Sequence, residues 1–271
     1  MVDIAAQPQP AAYSATMKFV DGYVRSPLAG LAPWILMGII NGPGRFEEAA
    51  SVALALSLLT LWVGVRRGVP VHLLEVFTVA YFGVLAVLGL AASDGAIEWL
   101  QLWAGALSSV ALAAFAIVTL LARRPFTLAY AKDTTPEEYW DSPIFLRINY
   151  VISAAWAGAF LFSAIVGVYG DAVLGDNDNF WTAWVLPIGA LIFAVSFTEF
   201  YPDYAMGETA SVAGVFDWFP PFVTAVGIIG WVTDALPDAV AIALIAAGVV
   251  GSAVMRKLVP DKPEPEPTAP Q

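Results

Sequence analysis

Few side chains in this sequence could do acid–base chemistry, and two of them lie three residues apart. His72, the single histidine, precedes Glu75 in an apolar stretch. Residues at positions i and i+3 share one face of a helix, so the imidazole and the carboxylate could lie side by side. Such a pair can transfer protons. It is equally the pattern of a histidine at a membrane interface beside an acid, and we favour that interpretation.

A second group of polar residues lies in a predicted loop, where Asp171, Asp176 and Asp178 could offer oxygen ligands to a divalent cation. The run Gly-Asp-Asn-Asp-Asn is also ordinary turn chemistry, and its spacing matches no established calcium loop. We therefore predict no metal site in this loop.

Other kinds of chemistry are excluded by residue type. The chain has no cysteine, which excludes disulfides, thiolate metal sites and cysteine nucleophiles. It contains no phosphate-binding glycine loop, no nucleophile elbow and no lysine placed for a Schiff base. We predict no cofactor and no enzymatic activity.

The composition indicates a membrane protein. Of 271 residues, 59% are hydrophobic and only 13% are charged, and the mean hydropathy is +0.73. Soluble domains are about 25% charged, so this chain has too few polar residues to cover a soluble particle. The net charge of -11 resides largely in loops and in the C-terminal tail, and no basic surface for nucleic acid is present.

Proline, glycine and charged residues divide the apolar sequence into about eight hydrophobic helices, which predicts an all-α, polytopic transmembrane helical bundle. The predicted helices cover residues 28–41, 46–66, 71–92, 96–122, 146–169, 180–200, 219–233 and 238–256. The first is either a short span or a half-helix packed against protein. Residues 1–27 form a predicted flexible arm, residues 28–257 the transmembrane domain, and residues 258–271 an acidic, proline-rich tail.

The basic residues predict the orientation of the bundle. With eight helices, eleven of the twelve lysines and arginines fall on one side and only Arg45 on the other. By the positive-inside rule, both termini and the central loop 122–149 are cytoplasmic. The pattern Thr134–Glu138 in this loop is typical of a helix start and predicts short interfacial turns. The candidate interaction or topology residues are Arg123, Arg124, Pro125, Tyr130, Lys132, Arg147, Asn149 and Trp156.

The first and last apolar blocks look alike. The matching pairs are Pro33-Trp34 with Pro221-Phe222, Gly38-Ile39-Ile40 with Gly227-Ile228-Ile229, and Arg66-Arg67 with Arg256-Lys257. The offset drifts from 188 to 190 along the blocks. Internal repeats are common in transporters, although two short hairpins of small apolar residues can also match by chance. A small-solute transporter therefore remains an alternative.

The order of short polar and aromatic motifs resembles the intracellular septation protein A family of bacterial inner-membrane proteins. The motifs, over roughly residues 30–200, are Pro33-Trp34-Ile35-Leu36, Arg66-Arg67, Phe82-Gly83, Ile97-Glu98-Trp99, Arg123-Arg124-Pro125, Tyr130-Ala131-Lys132, Arg147-Ile148-Asn149 and Ala155-Trp156-Ala157. The resemblance implies a role in cell-envelope maintenance and septum formation through protein partners, and it offers no catalytic residues. The longer N-terminal arm and the extra C-terminal helix pair depart from the family pattern.

These observations predict a non-enzymatic, multi-pass protein of the bacterial cytoplasmic (inner) membrane. We expect it to act through contacts with the lipid bilayer and with other membrane proteins or a second copy of itself, in cell-envelope maintenance or septation. The transporter and an accessory subunit of a larger energy-transducing complex are the alternatives.

Overall fold

The computed structural model describes residues 26–207 and 211–258, and all regular secondary structure in these ranges is helical. The α-helices are α1 (Pro27–Ile40), α2 (Phe46–Arg66), α3 (Leu73–Ala91), α4 (Asp94–Leu121), α5 (Thr127–Thr134), α6 (Pro143–Tyr169), α7 (Leu186–Ala205), α8 (Phe219–Val232) and α9 (Asp238–Leu258). Wider π-type turns, Gly170–Leu174 and Phe180–Val185, extend α6 and lead into α7. The predictions for the N-terminal arm and the C-terminal tail, including Lys18, Arg25 and Lys262, concern residues that lie outside the described ranges, apart from a few at their edges.

Within the described residues, seven helical segments are long and apolar enough to cross a membrane, which confirms the all-α, multi-pass prediction. The segment that contains α8 reaches this length because the 3-10 turn Val212–Phe216 leads into it, so that it covers Val212–Val232. Helix α1 has only 14 residues. At about 1.5 Å per residue it is roughly 21 Å long, against a hydrocarbon core of about 30 Å. Seven crossings would place the ends of the described chain on opposite sides of a membrane, and eight would place them on the same side. Helix α1 therefore decides the topology.

The predicted central loop 122–149 is largely helical. Helix α5 and a 3-10 turn over Glu137–Tyr139 lie inside it. The turn coincides with the predicted helix start at Thr134–Glu138, whereas α5 was not predicted. Helix α6 begins at Pro143, before the predicted residue 146, because the Ser142 side chain caps it by accepting a hydrogen bond from the Phe145 amide at 3.3 Å.

The helices divide into two compact units. Unit 1 comprises the described residues up to Ala104 together with Arg124–Trp140, and so contains α1, α2, α3, the first part of α4, and α5. Unit 2 comprises Gly105–Arg123 and the described residues from Asp141 onward. The division falls inside α4, at Gly105, where no change of composition marks it in the sequence.

An aromatic cluster joins α1 to α3 in the core of unit 1. The Trp34 ring stacks on Tyr81 with ring centroids 4.6 Å apart and is tilted against Phe82 at 4.9 Å. Its indole nitrogen donates a hydrogen bond to Thr78 Oγ1 at 2.9 Å. Trp34, Thr78 and Phe82 are all buried. The ring contacts give the indole van der Waals attraction, and Thr78 gives its buried N–H a hydrogen-bond acceptor, which a buried tryptophan requires.

The link between α1 and α2 is also fastened within unit 1. Asn41 Nδ2 donates to the Gln101 carbonyl oxygen at 3.1 Å, and the Gly44 amide donates to Gln101 Oε1 at 2.8 Å. One glutamine of α4 therefore accepts hydrogen bonds from two donors of this tight turn.

Unit 2 uses a similar tryptophan anchor and a close helix hairpin. Trp156 on α6 is 2% exposed and donates its indole N–H to Thr198 Oγ1 on α7 at 2.9 Å. In the α8–α9 hairpin, a Cβ placed on Gly227 would lie 2.8 Å from the Ala241 carbonyl oxygen. Glycine is needed there because the two backbones approach so closely, the usual way in which membrane helices gain packing contact.

The two hairpins that look alike in sequence have equal helix lengths. Helices α1 and α8 have 14 residues each, and α2 and α9 have 21 each. Phe219 and Asp238 each follow their counterparts, Pro27 and Phe46, by 192 positions. The sequence motifs match instead at offsets of 188 to 190. The matching motifs therefore occupy different positions along the corresponding helices.

Candidate functional site

Ionisable side chains meet below the surface of unit 1, at the start of α3. His72 is the N-cap residue of this helix and is 5% exposed. Its backbone N–H donates to Glu75 Oε2 at 2.5 Å. An acid three residues into a helix commonly reaches back to the first residue in this way, so the local sequence positions the carboxylate beside the histidine.

The imidazole lies between two carboxylates. Its Nδ1 is 3.3 Å from Glu75 Oε1, and its Nε2 is 2.9 Å from Asp133 Oδ2 on α5. The second contact has ion-pair distance without hydrogen-bond alignment. A neutral imidazole carries one N–H, whereas an imidazolium carries two. The arrangement therefore fits the protonated form, whose positive charge lies between the two carboxylates.

Tyr130 completes the group and covers it. Its ring stacks on the His72 ring with centroids 4.2 Å apart and an interplanar angle of 23°. Its hydroxyl donates to Glu75 Oε1 at 3.3 Å. We name His72, Glu75, Tyr130 and Asp133 the His72 cluster, and Arg124–Trp140 the connecting segment. Half of the cluster belongs to the connecting segment.

The electrostatics follow from burial and from these partners. Burial by itself would lower the pKa of His72, but the hydrogen bond and charge of Glu75 and the charge of Asp133 together outweigh it and hold the pKa above its ordinary 6.5. Burial, followed by the charge of Glu75, raises the pKa of Tyr130 well above its ordinary 10. The phenol therefore stays neutral and remains a hydrogen-bond donor to Glu75.

Glu75 also lines a small cleft at the end of α2. The other lining residues are Thr60, Leu61, Gly64, Val65, Val69, Pro70 and Val71. The cleft is mostly apolar and has room for about one water molecule. Its size suits a water molecule or a proton carried by one, rather than an organic substrate.

Neither the His72 cluster nor the loop with Asp171, Asp176 and Asp178 forms a metal centre. In the described part of the chain, no set of three His, Asp or Glu residues is placed to hold a metal ion. In the His72 cluster the carboxylates face different ring nitrogens. In the loop, Asp176 Oδ1 accepts a hydrogen bond from the Asp178 backbone amide at 3.2 Å, and Asp178 Oδ1 accepts one from the Trp184 indole N–H at 2.8 Å. These are turn and side-chain hydrogen bonds of the kind expected from the sequence.

The predicted interaction residues are divided between the two units. Tyr130 lies in the His72 cluster, and Lys132 Nζ lies 4.7 Å from the centre of the Trp140 ring. Pro125 is buried, while Arg123 and Arg124 are exposed beyond the end of α4. In unit 2, Arg147 is exposed, Asn149 is buried and donates to the Phe145 carbonyl oxygen at 2.9 Å, and Trp156 pairs with Thr198. Their roles in interaction and topology stay predictions.

Sequence reasoning found the His72–Glu75 pair and named Tyr130 separately, but it missed Asp133. Tyr130 and Asp133 are three residues apart on α5, so their shared face was open to prediction once that helix was recognised. Their meeting with His72 joins positions about sixty residues apart, and no local pattern reports it.

No protein-family model matches this chain, and no curated protein or solved structure shows significant similarity to it. The resemblance to the septation family therefore rests on the sequence motifs alone.

Proposed function

We propose that this protein is a non-enzymatic, multi-pass protein of the bacterial inner membrane that binds a protein partner through its connecting segment. The observation that supports the proposal is that this segment is folded, with one buried face and one exposed face. A loose loop between membrane helices would offer neither.

The inner face of the connecting segment is held by unit 1. Phe126, Thr127 and Tyr130 are each 5% exposed, and Asp133 reaches His72. The far end is closed by Trp140, whose indole N–H donates to the Thr135 carbonyl oxygen at 2.8 Å. The backbone of the segment is thus fixed from both ends, which lowers the conformational entropy that binding would otherwise cost.

The outer face combines charged groups with an aromatic residue. The exposed residues of the segment are Arg124, Thr134, Pro136, Glu137, Glu138 and Tyr139. Tyr139 is 53% exposed. Tyrosine and arginine are, with tryptophan, enriched among the residues that dominate binding energy at interfaces, so Tyr139 and Arg124 are the expected anchors.

The septation-family resemblance suggests the biological setting. The partner is expected to be a membrane protein of the cell envelope, or a second copy of this chain, contacted at the cytoplasmic face. If the protein is instead an accessory subunit of a larger energy-transducing complex, it would bind that complex through the same connecting segment.

A photo-cross-linking amino acid in place of Tyr139, in the full chain expressed in bacterial cells, tests this proposal. Illumination should yield a discrete protein adduct, and its mass should identify a second copy or a different protein. The matched control carries the same amino acid in place of Trp99, an aromatic residue that is also 53% exposed in unit 1. Trp99 lies near the start of α4, whereas the connecting segment follows the end of that helix, and it should yield no protein adduct.

Two outcomes would contradict the proposal. One is the lack of a protein adduct when the cross-linking amino acid replaces Glu137, Glu138 and Tyr139 in three separate variants. The other is an adduct of equal yield at position 99, which would mean that contact is unspecific.

A small-solute transporter is the second candidate, favoured by the equal helix lengths of the α1–α2 and α8–α9 hairpins. Repeated hairpins are a feature of transporter folds. Uptake of a broad solute panel by proteoliposomes tests it. Flux above that of protein-free liposomes would support transport, and its absence across the panel would count against it.

A further inference from the structure

We propose that His72 is a proton-binding site whose occupancy fastens the connecting segment to the start of α3 within unit 1. The proton would hold the segment closed, and its loss would release it. For its biological use, this inference rests on the proposed role of the connecting segment in binding a partner.

The geometry supplies the first reason. The two ring nitrogens lie 3.3 Å from Glu75 Oε1 and 2.9 Å from Asp133 Oδ2. Glu75 belongs to α3, and Asp133 belongs to the connecting segment. Only an imidazolium carries an N–H on both ring nitrogens and a positive charge between the two carboxylates, so the bound proton attracts the two elements to each other.

The charge balance supplies the second reason. The groups that face His72 are Glu75 from α3, and Asp133 and Tyr130 from α5. Helix α1 contributes no titratable side chain, and the residues of α2 that line the cleft beside Glu75 are uncharged. When His72 loses its proton, two mostly buried carboxylates are left without a cation in the cluster. Like charges in a poorly hydrated site repel strongly, and Asp133 is the one that can move away with its segment.

A small cleft adjoins the His72 cluster at Glu75. The carboxylate contacts His72 on one side and lines the cleft on the other. A water molecule in the cleft would therefore lie beside the carboxylate that contacts His72.

The direction of the response follows from the pKa of His72, which the two carboxylates hold above 6.5 in the closed form. The closed form binds the proton more tightly than the open form does. Rising pH therefore favours opening, and falling pH favours closure.

Single introduced cysteines can report this opening because the sequence contains no cysteine that would also be labelled. Thr127→Cys places a thiol at a buried position of α5, and Thr134→Cys places one at an exposed position of the same helix. Both full-length variants, in detergent micelles or nanodiscs, are labelled with a maleimide from about pH 5.5 to about pH 9, a range that brackets the ordinary pKa of histidine. The ratio of the two labelling rates cancels the ordinary dependence of thiol reactivity on pH.

The expected result is a low ratio at acidic pH that rises several-fold at alkaline pH. A pKa difference of one between the closed and open forms would change the opening equilibrium about tenfold, so the rise is measurable. Adding His72→Gln to both cysteine variants should make the ratio independent of pH. Circular dichroism and size-exclusion profiles check that these variants remain folded.

A constant ratio in the parent protein would overturn the proposal, and this readout does not depend on the folding of the His72→Gln variant. An unchanged pH response in the His72→Gln chain would overturn it as well. Either result leaves the cross-linking at Tyr139 unaffected, and a failure of that cross-linking leaves the labelling response intact. The two proposals can therefore fail separately.

Discussion

Trp34 on α1 donates its indole N–H to the hydroxyl of Thr78 on α3, across 44 positions of sequence and a distance of 2.9 Å. Thr78 is 1% exposed, and its hydroxyl lies 3.4 Å from the Gly30 carbonyl oxygen, to which it donates in turn. One threonine thus accepts from one residue of α1 and donates to another. The hydrogen bonds and the aromatic cluster around Trp34 together hold the short α1 against α3.

Replacing Thr78 with valine keeps the side-chain shape and leaves the Trp34 N–H without its acceptor. We expect the free energy of unfolding to fall by about 1 kcal/mol, the usual scale for a hydrogen bond between membrane helices. Thermal unfolding in detergent, followed by tryptophan fluorescence, measures the loss.

Thr78→Ser is the control for this change because it keeps the hydroxyl and removes only a methyl group. If Thr78→Val proves as stable as Thr78→Ser, the hydrogen bond does not hold α1 in place.

The α8–α9 hairpin depends on Gly227. A methyl group at this position would lie 2.8 Å from the Ala241 carbonyl oxygen and 3.0 Å from the Ile245 amide nitrogen, so Gly227→Ala must push the helices apart. We expect a loss of about 1–3 kcal/mol, as for other overpacked sites. At Gly158 on α6, an added Cβ would meet nothing within 4 Å. Gly158→Ala should therefore be neutral or slightly stabilising in the same unfolding assay. Equal effects at both positions would contradict close backbone packing.

Arg123 follows α4 with a φ of 58°, a conformation that favours glycine. Arg123→Gly and Arg123→Ala both remove the charge, so comparing them isolates the backbone. The glycine variant should be more stable by about 1 kcal/mol. Chemical unfolding in mixed micelles measures the difference, and an alanine variant of equal stability would show that the backbone relaxes at this position.

The stability of the protein should depend on pH through His72. Its pKa in the folded protein is above the ordinary 6.5, so its stabilising effect is fully present below about pH 6.5 and is lost as the pH rises through the folded value. His72 is the single histidine of the chain, so no other histidine titrates in this range. The detergent concentration at the midpoint of unfolding should be lower at mildly alkaline pH than at acidic pH. In His72→Gln this midpoint should change little, and a parallel fall in the variant would assign the effect to other groups.

The predicted orientation depends on basic residues at the ends of helices. Arg123 and Arg124 follow the end of α4, where the connecting segment begins, and are exposed. Replacing both with alanine should weaken the positive-inside signal and increase the fraction of chains with this segment on the other side. Reporter fusions placed just before Pro143 measure the fraction, with Arg256→Ala and Lys257→Ala at the end of α9 as the matched pair. An unchanged distribution would show that these arginines do not set the topology.

Much of the helical framework was predictable because a membrane span must be long and apolar, and polar residues interrupt it. The predicted starts and ends of most long helices lie within a few residues of the observed ones, and α2 was predicted with its observed bounds. Helix α5 was missed because its residues carry no apolar pattern long enough to distinguish it from a loop. Its helical form depends on burying Phe126, Thr127 and Tyr130 against unit 1.

The sequence by itself determined the class of the protein, the approximate positions of its membrane helices and the adjacency of His72 and Glu75, since composition and local spacing report all three. Only the tertiary structure decided that Asp133 and Tyr130 close on His72, that Trp34 meets Thr78, and that α4 is divided between two units at Gly105. The physical reason is that these features are contacts between elements distant in sequence. Lipid-exposed and protein-facing positions of a membrane helix are both apolar, so the sequence pattern does not show which faces pack together.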